Sequence, residues 1–114
     1  MRSNFVEEVC DWNEARYNVD YDKNLEYRML TEELLEYFNA KNIVDEADAL
    51  ADLCFVAIGS LYKLCGSDKT KVDDILLAVT SANNMKSSNK VNGKITKPAN
   101  FIGPEDMIKK ILER

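Results

Sequence analysis

Histidine is absent from this chain of 114 residues. Its absence removes the commonest general base, the usual zinc sites and any nucleophile pair that depends on histidine. It also argues against a di-iron site in a helical bundle, because such sites use Glu-x-x-His ligands. If the chain is an enzyme, carboxylates and a metal ion must carry the chemistry.

Glycine and proline are scarce, with four and two residues, and both prolines lie beyond residue 97. The first 86 residues therefore predict helices joined by short links. Apolar periodicity places four helices. The first runs around Phe5 to Arg16 and the second from about Asn24 to Ala40. The third contains the run Ala47 to Leu61 and stops near Gly66, and the fourth can start at Asp68 and has its apolar stripe from Val72 to Val79. Asn92-Gly93 predicts a basic loop or small hairpin, and Pro104 begins a short C-terminal helix. We expect one all-α domain over residues 1–114, with a four-helix-bundle-like core.

Long apolar runs are missing too, since none reaches the roughly 20 residues of a membrane span. The N-terminus carries acids where a secretory signal needs an apolar core. The three cysteines, an odd number in apolar settings, are interpreted as reduced, buried core thiols, and a cytoplasmic location follows. The net charge of −5 argues against nucleic acid or an anionic membrane as partner.

Acidic residues occur where apolar ones are expected. The third helix is apolar or small at nearly every position except Asp48 and Asp52, which predicts a helix covered by protein on almost every side. In the second helix, Glu33 and Glu36 interrupt the apolar stripe, and Glu32 lies at its edge. Two antiparallel helices with a short link would bring these acids together.

Such a cluster needs cations, because like charges in a poorly solvated place raise each other's pKa. Hard oxygen ligands suit Mg²⁺, with Mn²⁺ as a substitute. Two simpler interpretations remain open at this point. The glutamates could form a solvated face near Lys23 and Arg28, and the aspartates could be paired with basic side chains in a structural network.

The one positive segment follows the fourth helix. Asn83 and Lys86 continue the line of its apolar stripe, and the loop supplies Lys90, Lys94 and Lys97. Lysines and an amide suit phosphate oxygens, whereas a frayed helix end and a solvated loop are the simpler alternative.

The ordered motifs resemble the MazG-like, all-α nucleoside triphosphate pyrophosphohydrolase superfamily, in its phage-type or phosphoribosyl-ATP pyrophosphohydrolase-like branch. Glu32, Glu33 and Glu36 match the family's EExxE pattern, but position 49 is alanine where the second pattern, ExxD, has glutamate. Asp48-x-x-x-Asp52, Asn83-x-x-Lys86, "VCDWNEA" and "NGKITKPANFIGP" resemble the variant branch.

The resemblance implies Mg²⁺-dependent hydrolysis of a (deoxy)nucleoside triphosphate to the monophosphate and pyrophosphate. Its implied metal ligands are Glu33, Glu36, Asp48 and Asp52, and Glu32 could be a further ligand or position the attacking water. The implied substrate-binding residues are Asn83, Lys86, Lys94, Trp12 and Asn13, although a core aromatic residue beside a surface amide explains the last two equally well.

The resemblance also implies a homodimer or homotetramer. Two other functions remain open. One is phosphoribosyl-ATP hydrolysis in histidine synthesis, and the other is a non-catalytic helical binding module.

Overall fold

The chain is described from a computed structural model, which covers residues 4–114. About two-thirds of this part is helical, which confirms the predicted all-α class. In chain order it forms helices α1 (Phe5–Ala15), α2 (Lys23–Asn39), α3 (Ile43–Leu64) and α4 (Lys69–Asn83), strands β1 (Lys90–Val91) and β2 (Lys94–Ile95), and helix α5 (Glu105–Leu112).

The first three helices begin at short polar side chains that cap them. Asn4, Asp22 and Asn42 are extended, and their side-chain oxygens accept hydrogen bonds from backbone N–H groups in the first turn. At the end of α3, Gly66 has a φ of 66°. Glycine takes this left-handed conformation without strain, so the helix stops where the sequence predicts.

The chain divides into two compact units, Met1–Val72 and Asp73–Arg114. In the first unit, α3 packs against both α1 and α2. Val9, Cys10, Ala49 and Tyr62 are buried there. The single domain and the four-helix bundle expected from the sequence stay predictions.

The second unit contains the hairpin and α5. β1 pairs antiparallel with β2 across Asn92-Gly93, whose positive φ values of 54° and 78° suit a tight hairpin turn. The predicted small hairpin is therefore present. Arg114 and Asp74 form an ion pair at 2.5 Å between the two ends of the unit.

Two predictions about burial are wrong in part. The run from Ala47 to Leu61 is not covered on almost every side, since Leu50 is 44% exposed and Cys54 is exposed. Ile43, Val44 and Leu64, at the two ends of α3, are exposed as well. Helices α1 and α2 can cover only the faces of α3 that they contact. Similarly, Cys10 and Cys65 are buried, but Cys54 is exposed on α3.

No single helix within residues 4–114 has the length and hydropathy needed to cross a membrane; α3 and α4 meet that test only when taken together as a bent pair.

Candidate functional site

Three of the predicted acids lie together between α2 and α3. One carboxylate oxygen from each of Glu33, Glu36 and Asp52 lies within 4.8 Å of the other two. The helices run antiparallel, since Glu26 of α2 pairs with Lys63 of α3 and Glu33 lies near Asp52. We call these three residues the carboxylate cluster.

Glu33 is the most constrained member of the carboxylate cluster. Its Oε2 atom is buried and has no hydrogen-bond partner within residues 4–114. Burial raises the pKa of Glu33 above its ordinary value of 4.5, and the negative charges of Glu36 and Asp52 raise it further. The site therefore disfavours the ionised form of Glu33 unless a positive charge is supplied.

The remaining predicted acids lie outside the carboxylate cluster. Glu32 and Asp48 are exposed. Glu32 still acts on the site, because its charge contributes to the raised pKa of Glu33. Asp48 lies one helical turn before Asp52 on the same face of α3. Of the four predicted metal ligands, Asp48 is the one that lies outside the carboxylate cluster.

Trp12 and Asn13 have the reverse of the burial that the simpler alternative to substrate binding requires. Trp12 is 42% exposed and packs edge-on against Phe55, with the Arg16 guanidinium 4.4 Å from its ring centre. Asn13 is 3% exposed. Its Nδ2 donates to the Val9 carbonyl at 2.8 Å, and its Oδ1 accepts from Asn18 at 2.7 Å. The interpretation of a core aromatic beside a surface amide is therefore wrong.

The predicted phosphate-binding residues belong to the second unit. Asn83 ends α4, and its carbonyl accepts a hydrogen bond from the Lys86 backbone N–H at 3.0 Å. Lys94 is exposed in β2, opposite Val91. Their binding of phosphate stays a prediction from the sequence.

Sequence reasoning missed a buried polar group in the first unit. Glu26 and Lys63 are 3% and 4% exposed and form an ion pair of 2.7 Å. Ser60 donates a hydrogen bond to Glu26 at 3.0 Å. The sequence could have indicated this group by its spacing. Ser60 and Lys63 are three residues apart, so they share one face of a helix end that is otherwise apolar.

This polar group borders a cavity of about 140 Å³. Trp12, Met29 and Phe55 supply apolar parts of its lining, and Glu26, Ser60 and Lys63 supply polar parts. We call it the Trp12 cavity. Met29 and Val56, which also lines it, each lie one helical turn from a member of the carboxylate cluster.

Comparison of the chain with protein-family models found no match, and comparison with curated protein sequences found none. The MazG-like resemblance therefore rests on the motifs alone and stays a prediction.

Proposed function

We propose that the chain is a Mg²⁺-dependent nucleoside triphosphate pyrophosphohydrolase of the MazG-like type. The observation that carries the proposal is the buried, unpartnered Oε2 of Glu33 beside two further carboxylates. The ion pairs found within residues 4–114 join other residues and neutralise none of these three. A half-buried carboxylate beside like charges is costly to ionise, so a native protein that retains one needs a reason for it.

A divalent cation fits these residues. Their donors are all carboxylate oxygens, the hard ligands that Mg²⁺ and Mn²⁺ prefer. Glu33 Oε2 is buried without a hydrogen-bond partner in the described residues. One oxygen from each of the three carboxylates lies within 4.8 Å of the other two, close enough for them to share an ion. Glu33, Glu36 and Asp52 would hold the metal, and the exposed Asp48, one turn before Asp52, is a further candidate ligand.

When bound, the metal neutralises triphosphate oxygens and lowers the pKa of a coordinated water. Glu32 is exposed beside the cluster, where its carboxylate can accept a proton from the attacking water. Attack at the α-phosphorus would release pyrophosphate as one unit. The proposed roles of Asn83, Lys86 and Lys94 in binding phosphate rest on their residue types and on the sequence motif.

The test is a substrate screen of common ribo- and deoxyribonucleoside triphosphates, together with phosphoribosyl-ATP, in the presence of Mg²⁺. Reaction in water labelled with heavy oxygen should place the label in the nucleoside monophosphate and leave pyrophosphate intact. A nucleoside diphosphate and orthophosphate as first products would contradict the proposed bond cleavage. Preferential turnover of phosphoribosyl-ATP would assign the chain to that alternative.

We also propose that a second copy of the chain covers the exposed apolar surface near the α2–α3 link. Phe38 is 81% exposed there, and Leu34, Leu35, Ile43 and Val44 are exposed as well. Monomeric proteins rarely expose large contiguous apolar patches. Light scattering at micromolar concentration should give a dimer or tetramer, and a stable monomer would contradict this.

The same surface favours the second candidate function, a non-catalytic helical module that binds another protein. The two candidates differ in their response to metal. A binding module should show no change in melting temperature with Mg²⁺ or Mn²⁺ and no turnover of any nucleotide.

A further inference from the structure

Helices α2 and α3 form a hairpin that is closed by a link at one end and open at the other. The link covers residues 40–42. At the open end, Glu26 of α2 pairs with Lys63 of α3 at 2.7 Å. The carboxylate cluster lies between the two ends, since Glu33 follows Glu26 on α2 and Asp52 precedes Lys63 on α3. Whatever holds the open end together therefore affects the separation of these carboxylates.

The carboxylate cluster opposes the pairing of the two helices when no cation is present. Glu33 and Glu36 belong to α2 and Asp52 belongs to α3, and one oxygen of each lies within 4.8 Å of the other two. Like charges at this distance repel each other. Because the charges belong to different helices, their repulsion acts to separate α2 from α3.

Apolar packing between the carboxylate cluster and the open end is incomplete. The Trp12 cavity, of about 140 Å³, is lined there by Met29 on α2 and by Val56 and Gly59 on α3. Side chains that line a void lose contact atoms on one side. Glu26 and Lys63 border the same cavity. Their ion pair therefore joins the two helices where apolar contact is interrupted.

The ion pair favours one separation of the helices. Glu26 and Lys63 are 3% and 4% exposed, and Ser60 Oγ donates a second hydrogen bond to Glu26 at 3.0 Å. Desolvation offsets much of the attraction within a buried ion pair, so the clearest use of such a pair is to specify one arrangement of the packed helices. Apolar side chains in its place repack with less loss, and they specify the arrangement less well.

We propose that Glu26 and Lys63 are positioning residues of the carboxylate cluster, because their ion pair holds the open end of the hairpin closed and so keeps the three carboxylates together. The part of this inference that concerns metal binding rests on the proposed function. Neither residue belongs to the carboxylate cluster itself. Glu26 precedes Glu33 by seven residues, about 10 Å along the helix axis.

The separation of the helices can be measured without metal. Cys54 is exposed on α3, whereas Cys10 and Cys65 are buried, so Cys54 is the native site for a spin label. Asn24→Cys adds a second site at an exposed position near the start of α2. Pulsed electron paramagnetic resonance on labelled chains, diluted with unlabelled chains, then gives the distance within one hairpin.

This labelled chain should show one narrow distance distribution that Mg²⁺ leaves unchanged, because the ion pair closes the hairpin before any metal binds. In the labelled double variant Glu26→Leu, Lys63→Met, the metal-free distribution should be longer and broader, and Mg²⁺ should shorten it. A hairpin with the intact ion pair that closes only when Mg²⁺ is added would overturn the inference, and this comparison requires no change at Glu26 or Lys63.

Mn²⁺ affinity provides a second measurement. The double variant should bind Mn²⁺ roughly tenfold more weakly, the scale on which groups that orient metal ligands act. The charge-exchanged variant Glu26→Lys, Lys63→Glu retains an ion pair and should recover the affinity. Glu8→Leu, Lys110→Met removes the same charges at exposed positions and should leave the distance and the affinity unchanged.

The possible results separate this inference from the proposed function. A double variant with the unaltered metal-free distance, or with the Mn²⁺ affinity of the control, would overturn the inference. A charge-exchanged variant that is as stable as the unaltered chain but does not recover the affinity would also overturn it. Absence of Mn²⁺ binding by the unaltered chain would contradict the proposed function, and the metal-free distances would then decide the inference by themselves.

Discussion

Glu26 and Glu33 lie seven residues apart on α2, and both lie near α3, but their electrostatic surroundings are opposite. Glu26 has an ammonium at 2.7 Å and a hydroxyl at 3.0 Å. Glu33 faces two more carboxylates and keeps one buried oxygen without a partner in the described chain. The first carboxylate is neutralised by the fold, whereas no ion pair within residues 4–114 neutralises the second.

This difference separates a charge that the fold neutralises from one for which we propose a functional role. A buried charge can be tolerated when it has a partner of opposite charge. Removing one member of such a pair leaves the other charge buried and unpaired, which is strongly destabilising. An ionised, half-buried carboxylate among like charges opposes folding, so a role in binding explains it better than a role in stability. Four experiments test this contrast, the largest expected effect first.

Lys63→Met should lower the free energy of unfolding by about 3–5 kcal/mol, because it leaves Glu26 buried without its cation. Denaturant unfolding measures the loss. Lys110→Met, at an exposed position of α5, is the matched control and should change little. The double variant Glu26→Leu, Lys63→Met should recover most of the loss, since it removes both charges. A single variant as stable as the control would show that the ion pair is unimportant.

Mg²⁺ should stabilise the chain by about 2.7 kcal/mol when its concentration is a hundred times its dissociation constant. Asp52→Asn removes one ligand of the carboxylate cluster, so its melting temperature should no longer respond to the metal. Asp73→Asn, on the exposed face of α4, should keep the full response. Equal responses of the two variants would remove Asp52 from the metal site.

The hydrolysis reaction should depend on a lysine of the hairpin. Lys94→Ala should lower kcat/KM roughly tenfold to a hundredfold, since one charge-assisted contact contributes about 1.5–3 kcal/mol. Lys109→Ala, an exposed lysine of α5, serves as the control. The affinity for Mg²⁺ should be unchanged in both variants. Unaltered kcat/KM for Lys94→Ala would exclude it from substrate binding.

Glu33→Gln should stabilise the metal-free chain slightly, and the gain should depend on pH. The raised pKa means that the folded state holds its proton more tightly than the unfolded state. The contribution of Glu33 to stability is therefore complete below its ordinary pKa and is lost as the pH rises through its folded pKa. A like-charge pair three or four residues apart on a helix destabilises it by about 0.2–0.5 kcal/mol. Loss of the repulsion between Glu33 and Glu36 alone should therefore raise the free energy of unfolding by about this amount.

Unfolding of this variant and of the unaltered chain should be compared at about pH 4 and about pH 7, with the gain present mainly at the higher pH. Glu8→Gln, at an exposed position of α1, controls for the loss of one charge. A gain that is the same at both pH values would mean that the ionisation of Glu33 is not its source.

Much of the carboxylate cluster could be predicted because helix geometry depends on residue spacing. Glu33 and Glu36 share a face of α2, and a three-residue link forces α3 to return beside it. The hairpin at Asn92-Gly93 and the helix caps were predictable for the same reason, since each depends on a few neighbouring residues. The sequence could not show that Asp52 joins the carboxylate cluster while Asp48 stays exposed outside it, because the two aspartates lie on the same face of α3.

The sequence by itself determined the helices, their order and the convergence of acids on one helix pair, because periodicity and turn chemistry act over a few residues. Only the tertiary structure decided which charges are paired and which faces are covered. It paired Glu26 with Lys63, buried Asn13 while exposing Trp12, and left Cys54 at the surface. These outcomes depend on where helices distant in the sequence cross, and the spacing of residues within one helix does not contain that information.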